Sequence, residues 1–376
     1  MKEINIGHLA SFHGNVGDQL NHLSFRPWMQ TQIRSSLKWN EFEIRDCYRK
    51  KKTFNPDFFN FAISKDLVVI GGGNFFELWP ENSINGTSID LSFQEIQDIG
   101  KPVFFNSLGV DAGQGMSKRA EVNFKTFFES IANDPLCFVS VRNDGSLEQL
   151  KALNIDTDHV TVLPDAAFFY NNYTVGSQAS INIGLNIAED MKTLRYEDGD
   201  GETFLRSLAR TIEDLSEWND QIKFVFFPHI YSDIAFISRL LNLLTDQIVR
   251  NKVTVEKYST ISDDAMRLPI AYGKCDLVVA TRFHANVLPL GMGVPTIGLN
   301  TYPQIYKLYD EIGLQEQCIS PDGIDFESKL QELIHDALLR NSHWVSKQAL
   351  MKNKIVNDRK KVGIQLSSWL KRNIGE

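Results

Sequence analysis

Arg282 and His284 stand two residues apart in Ala280-Thr281-Arg282-Phe283-His284-Ala285-Asn286, directly after the apolar run Leu277–Ala280. A strand ends there and a helix begins. Thr281 is the expected N-cap, which places both side chains in the first turn beside unpaired amides. A fixed cation, an imidazole that exchanges protons near neutral pH and the positive end of a helix then meet at one point. That combination suits an anionic substrate that must accept a proton. A lone histidine is more often a satisfied core residue, so it is the pairing with arginine that carries the functional reading.

Four more strand ends carry similar residue types. His13-Gly14-Asn15-Val16-Gly17-Asp18 follows the first strand. Asp18 there is either a helix N-cap or a catalytic carboxylate, and a cap is already committed to backbone amides. Gly71, Gly72 and Gly73, followed by Asn74, open from the apolar run Leu67–Ile70. Bare amides at such a point can hold an anion; a plain strand-to-helix turn is the alternative. Phe76 occupies the position of the third glycine in a dinucleotide fingerprint, which argues against a nicotinamide cofactor. Arg142 ends the run Phe138–Val141, where a guanidinium can grip a carboxylate or phosphate, or tie the strand end to a neighbour. Asp165, in Leu163-Pro164-Asp165, is a candidate partner for it. His229, in Phe227-Pro228-His229, is a weaker companion at another strand end.

The elements that must position these loops alternate along the whole chain. In the first half, strands are predicted at Ile4–His8, Leu67–Ile70, Val103–Ser107, Phe138–Val141 and Val160–Leu163, with helices over Ser117–Ala132 and Gly145–Leu153. In the second half, strands are predicted at Ile181–Ile187, Lys223–Phe227, Val253–Lys257, Leu277–Ala280 and Thr296–Leu299. Helices there fill Glu202–Trp218, Asp233–Thr245, Ser262–Tyr272, His284–Gly291, Gln304–Ile312 and Ile324–Leu339. Strand–helix alternation implies parallel sheets covered on both faces, and right-handed crossovers make each half Rossmann-like. The polar stretch Tyr170–Ala179 reads as a linker between domains 1–172 and 178–376. The expected fold is therefore α/β, two doubly wound domains facing a central cleft, with ligands beyond the carboxyl ends of the strands.

Composition narrows the class of partner. A chain of 376 residues with 43% hydrophobic and 23% charged residues is ordinary globular material, long enough for two cores. Lys and Arg number 39 against 47 Asp and Glu, and the net charge of −8 opposes binding to nucleic acid. No run of about 20 apolar residues appears, and no signal-like start. Four scattered cysteines without a C-x-x-C fit reduced thiols and a cytoplasmic location, with peripheral contact to the inner membrane face left open. No metal-ligand spacing is present and no cofactor is expected.

Six segments in order resemble the polysaccharide pyruvyl transferase family: GNVGD near the start, VVIGGGNFF, SVRNDGS, LPDAAF, TRFHANVLPLGMGVPTIGL and the segment Tyr302–Leu308. Gln19, Asn143 and Ala166 depart from it, where Glu, Asp and Pro are usual. The resemblance implies a B-type glycosyltransferase fold, phosphoenolpyruvate as donor, and a saccharide or lipid-linked saccharide as acceptor in cell-surface or exopolysaccharide biosynthesis. The sequence leaves room for a homo-oligomer. The residues suit that chemistry. Arg142, Arg282 and Lys307 can supply charge to the donor, with Gly71–Gly73, Asn74 and His229 lining the binding site. His284 is the candidate general acid at the enol carbon, and Asp18 the group that orients or deprotonates the acceptor. A nucleotide-sugar glycosyltransferase of the same two-lobed fold is the alternative. A non-catalytic carbohydrate binder is disfavoured by the Arg282/His284 pair.

Overall fold

The computed structural model describes residues 3–47, 54–171, 180–258 and 266–375. The chain divides into two compact units. The first comprises Met1–Phe12, Asn21–Ala166 and Lys354–Glu376; the second comprises His13–Leu20 and Ala167–Asn353. Each therefore draws on segments distant in sequence, and the division departs from a simple split at 172–178 at both ends of the chain. The expected linker falls mainly on 172–179, outside the described residues.

In chain order the first unit contains β1 (Glu3–Ala10), α1 (Val16–Gln32), β2 (Ser36–Glu43), α2 (Ile44–Cys47), α3 (Pro56–Ile63) and β3 (Leu67–Glu77). It continues with α4 (Phe93–Ile99), β4 (Val103–Asp111), α5 (Lys118–Asn133), β5 (Cys137–Val141), α6 (Ser146–Ala152) and β6 (Thr161–Val162). The first residues of α1 count with the second unit. The sheet runs β2-β1-β3-β4-β5-β6, and every pairing is parallel. Side chains alternate faces along each strand. Val68, Ile70 and Phe105 join one apolar cluster with Phe76, Phe124 and Phe128. Leu67, Val69 and Phe104 join another with Phe25, Met29, Leu366 and Trp369.

Two features of this sheet were not predicted. β2 is an edge strand whose residues are all half-buried or exposed, so it lacks a continuous apolar run. β3 does not stop at Ile70 but continues through the three glycines, pairing Gly71 with Asn106 and Gly73 with Leu108. The glycines are required by close approach rather than by a turn. Gly71 has φ +114°, and a Cβ there would lie 2.4 Å from the Asn106 carbonyl oxygen. A Cβ on Gly72 would lie 2.8 Å from the Asn21 side chain. A buried, bulged strand thus stands where the sequence offered an anion-holding loop or, as the alternative, a strand-to-helix turn.

The second unit contains β7 (Ile181–Asn186), α7 (Lys192–Arg195), α8 (Glu202–Trp218), β8 (Ile222–Phe226), α9 (Tyr231–Leu241), α10 (Asp246–Lys252), β9 (Val253–Val255) and α11 (Arg267–Tyr272). It ends with β10 (Leu277–Ala280), α12 (Phe283–Met292), β11 (Thr296–Leu299), α13 (Pro303–Ile312), β12 (Cys318–Ile319), α14 (Phe326–Leu339) and the start of α15 (Asn341–Ile374). The beginning of the predicted helix Ser262–Tyr272 lies outside the described residues. The sheet runs β12-β11-β10-β7-β8-β9, again all parallel. Leu277 and Val279 face a cluster with Phe204, Leu208, Ile212 and Phe326, while Val278 and Ala280 face Tyr272, Ala285 and Leu288. All ten residues of α12 are buried, as expected of a helix apolar on every side.

Both units are doubly wound, and the strand order reverses direction once in each. In the first the reversal lies between β1 and β3; in the second it lies between β7 and β10. Crevices at such reversals, beyond the carboxyl ends of the strands, are where sheets of this kind take ligands. Among the described residues, no helix is long and apolar enough to cross a membrane.

Candidate active site

The reversal between β7 and β10 is where the second unit gathers its polar groups. Thr281 is not the N-cap of α12. Its backbone N–H and its hydroxyl both bond the Asn186 carbonyl, at 3.0 and 3.2 Å, which fastens β10 to β7. Arg282 is the N-cap residue, in extended conformation, with its N–H donated to Asn186 Oδ1 at 3.1 Å. His284 is therefore the second residue of the helix, while the arginine precedes the first turn.

The Arg282 guanidinium is already engaged. Its Nε donates to Asp233 Oδ2 at 2.8 Å, a further short bond joins it to Asp233 Oδ1, and one terminal nitrogen donates to Asp190 Oδ1 at 2.7 Å. Burial opposes the charge of Arg282, but these two carboxylates outweigh it and raise its pKa. Asp233 also accepts the backbone N–H groups of His229 and Ile230 at 2.9 and 3.1 Å, so one buried carboxylate locks the β8–α9 turn to the arginine. The expected role of Arg282 as an open donor of charge is thus joined by a structural one. Asp190, Asp233 and the neighbouring Arg195 escaped the sequence reading. Asp190 and Arg195 lie in a polar stretch, Glu189–Asp200, that reads as a solvated loop.

His229 is fully buried, and its Nε2 lies 2.8 Å from the Tyr272 hydroxyl. Burial, followed by the fields of Arg282 and His284, holds its pKa well below the usual histidine value, so the ring is neutral. His284 Nδ1 lies 3.9 Å from Asp18 Oδ1, and both side chains are about 8% exposed. Gly17 makes the approach possible, because a Cβ there would sit 2.4 Å from the imidazole. Asp18 is the third residue of α1 and not its cap. The cap is Asn15, whose Oδ1 accepts the Gly17 N–H at 3.0 Å. Val16 N–H, in turn, bonds the His229 carbonyl at 3.3 Å. Four sequence candidates, Asp18, His229, Arg282 and His284, therefore share one neighbourhood. Lys307 lies on α13, half-buried, in the same unit.

The remaining candidates belong to the first unit. Arg142 is 2% exposed and donates from Nε to Asp144 Oδ2 at 2.7 Å, with Asp165 at 3.8 Å. Asp165 also accepts from Asn21 Nδ2 at 3.0 Å. The salt-bridge reading of Arg142, and its pairing with Asp165, describe these contacts. Asn74 donates to Asp111 at 2.9 Å, and a Cβ on Gly109 would strike both Asn74 and Arg142. Glu77, paired in register with Asp111 and bonded by Gln114, is pushed up to about 7 by burial and then by the Asp111 charge. Among the described residues no group of three or more His, Cys, Asp and Glu side chains is arranged to hold a metal ion.

The sequence matches a model of the polysaccharide pyruvyl transferase family over residues 20–302, most of its length. The chain belongs to the polysaccharide pyruvyl transferase family. The matched span includes Arg142, His229, Arg282 and His284 and stops short of Asp18 and Lys307. No curated protein sequence matches. As a pyruvyl transferase family member it shares its fold with several solved structures. A glycosyltransferase from Rickettsia africae superposes with a TM-score of 0.56 at 11% identity, covering 99% of each chain. Anabaena HepE, solved with UDP and glucose, gives 0.54 at 11% identity over 97% of this chain and 100% of that one. UDP-GlcNAc 2-epimerase from Methanocaldococcus jannaschii gives 0.52 at 12% identity, covering 89% and 93%. At such identities the likeness concerns architecture alone: two Rossmann-like units of the B-type glycosyltransferase kind, as the family resemblance implied.

Proposed function

We propose that the protein transfers the pyruvyl group of phosphoenolpyruvate to two hydroxyls of a saccharide, forming a pyruvate ketal and releasing phosphate. The observation that carries this reading is His284 beside Asp18 in the first turn of α12, next to a guanidinium fixed at the strand reversal. The enol carbon C3 must gain a proton before C2 becomes electrophilic, and His284 is the group to give it. A sugar hydroxyl then attacks C2, and its proton restores the imidazole. A second hydroxyl displaces phosphate, which leaves with that proton. Asp18, 3.9 Å from the imidazole, orients the ring, a role closer to the general acid than to the acceptor. Arg282 supplies fixed positive charge for the donor. His229, neutral and bonded to Tyr272, is a positioning residue behind it. Arg142 serves the internal frame of the first unit, in place of its expected role at the donor.

The direct test is incubation with phosphoenolpyruvate and a panel of saccharides, including lipid-linked ones, with released phosphate and the new ketal methyl group as readouts. His284→Gln should fold, keep donor affinity within a few fold and lose about 10²–10⁴ in turnover, the usual contribution of a general acid. A folded His284→Gln variant with nearly full turnover ends the acid assignment. Stabilisation by UDP but never by phosphoenolpyruvate would favour a nucleotide-sugar donor instead.

A further inference from the structure

Arg195 is a second buried guanidinium near Arg282, and its side chain is only 6% exposed. It is held from several sides. Its Nε donates to the Asp190 carbonyl at 2.8 Å, one terminal nitrogen donates to Thr301 Oγ1 at 3.2 Å, and the group lies 5.6 Å from the centre of the Tyr302 ring. Burial, first, lowers its pKa, and the Arg282 charge adds to that. A pair of buried cations this close requires anions. Two carboxylates provide them, and they differ in kind. Asp233 is fully buried, committed to Arg282 and to two backbone amides. Asp190 has a side chain 32% exposed. Its Oδ1 alone meets both arginines, 2.7 Å from Arg282 and 3.6 Å from Arg195 Nε.

We propose that Arg195 and Arg282 form an anion site for a carboxylate or phosphate group, and that the Asp190 side chain is its internal occupant, displaced when ligand binds. The inference shares Arg282 with the pyruvyl-donor reading and deepens it, by naming the group that a donor must expel. Asp190 is suited to exchange. It lies in the turn after β7, it is the exposed member of the cluster, and its departure leaves one uncompensated positive charge facing that turn. The next residue, Met191, holds a left-handed φ of +54°, a conformation unfavourable in a residue with a side chain and one that a moving turn can relax. Burial raises the pKa of Asp190, but Arg282 and Arg195 outweigh that and lower it, so a charged carboxylate occupies the site at neutral pH. The consequence is an affinity set by competition: a weak anion fails to displace Asp190, while an anion with two or more well-placed oxygens succeeds.

Isothermal titration of the full chain with inorganic phosphate, and separately with phosphoenolpyruvate, tests the exchange. Asp190→Asn removes the competing charge with little change of shape, and Asp190→Ala removes the side chain outright. Both should bind the anions about ten- to a hundredfold more tightly than the unchanged protein, the scale of one charge-assisted hydrogen bond. Adding Arg195→Gln to Asp190→Asn should cancel that gain. Equal or weaker binding of both anions by both Asp190 variants, or a gain that survives Arg195→Gln, overturns the proposal. If phosphate tightens but phosphoenolpyruvate never binds, the site stands and the pyruvyl-donor reading falls. If phosphoenolpyruvate binds the unchanged protein and the Asp190 variants alike, the donor reading stands and the exchange falls.

Discussion

Replacing Arg142 by alanine separates a ligand-binding arginine from a structural one. The guanidinium is 2% exposed, and so are its contacts: Asp144 at 2.7 Å is 2% exposed and Asp165 at 3.8 Å is fully buried. Removing the cation takes a counter-charge away from two desolvated carboxylates. Breaking a buried pair by deleting one partner costs about 3–5 kcal/mol. At roughly 2–4 °C per kcal/mol for a domain of this size, the melting midpoint should fall by about 6–20 °C. Circular dichroism on the full chain reads this directly. Arg142→Ala combined with Asp165→Asn should recover part of the loss, because one of the two stranded charges is then gone. Phosphoenolpyruvate affinity, measured on folded protein below the transition, should be nearly unchanged. An unshifted melt together with lost donor binding would refute the reasoning and return Arg142 to the donor site.

Glu77 should give stability a pH dependence of its own. Its carboxyl is raised from 4.5 to about 7, so between those values the folded chain holds a proton that the unfolded chain releases. Stability from this group is present below pH 4.5 and lost as pH rises through 7, about 3 kcal/mol in all; Glu77→Gln should lack that slope, and parallel urea-denaturation profiles for the two proteins would exclude it. Gly291→Ala should destabilise, although alanine normally gains about 1 kcal/mol over glycine inside a helix. A Cβ at 291 would sit 2.3 Å from the Phe168 carbonyl oxygen, so a thermal midpoint above that of the unchanged protein would contradict the packing described for α12.

How much could be read from the sequence depended on where each signal came from. β10 and β11 were delimited to the residue because short, fully buried parallel strands are continuous apolar runs. Helix α8 was delimited too, since Phe204, Leu208, Ile212 and Leu215 trace one face. The glycine run misled because a local turn signal was overruled by pairing to β4, whose partner residues lie 35 positions further along the chain and are not named by local patterning. Within the candidate site, His284 and Arg282 were legible because they lie together at one strand end. Asp233, 49 residues from Arg282, and Asp190, 92 residues from it, were not. Their residue types are ordinary for surface turns, and only the fold brings them under the arginine. Asp18 was legible as a polar residue in a glycine-rich loop, but its role as cap gave way to Asn15, three residues earlier, because the helix begins at Val16.

The first unit is completed by residues that a ribosome adds after everything else it contains. Val362, Leu366, Trp369 and Leu370 of α15 fill the same apolar cluster as Ile4, Phe25 and Phe104, and the Trp369 indole donates to the Pro135 carbonyl at 2.9 Å. At the usual pace of about 5–20 residues per second, that face of the sheet waits many seconds for its cover after β5 has emerged. A nascent chain in that interval presents phenylalanines and a parallel sheet to its neighbours. The second unit, whose segments all precede Lys354, has no such delay. Synthesis thus imposes an order in which the half carrying His284 can close first, and trimming the last twenty or so residues would expose one sheet while sparing the other.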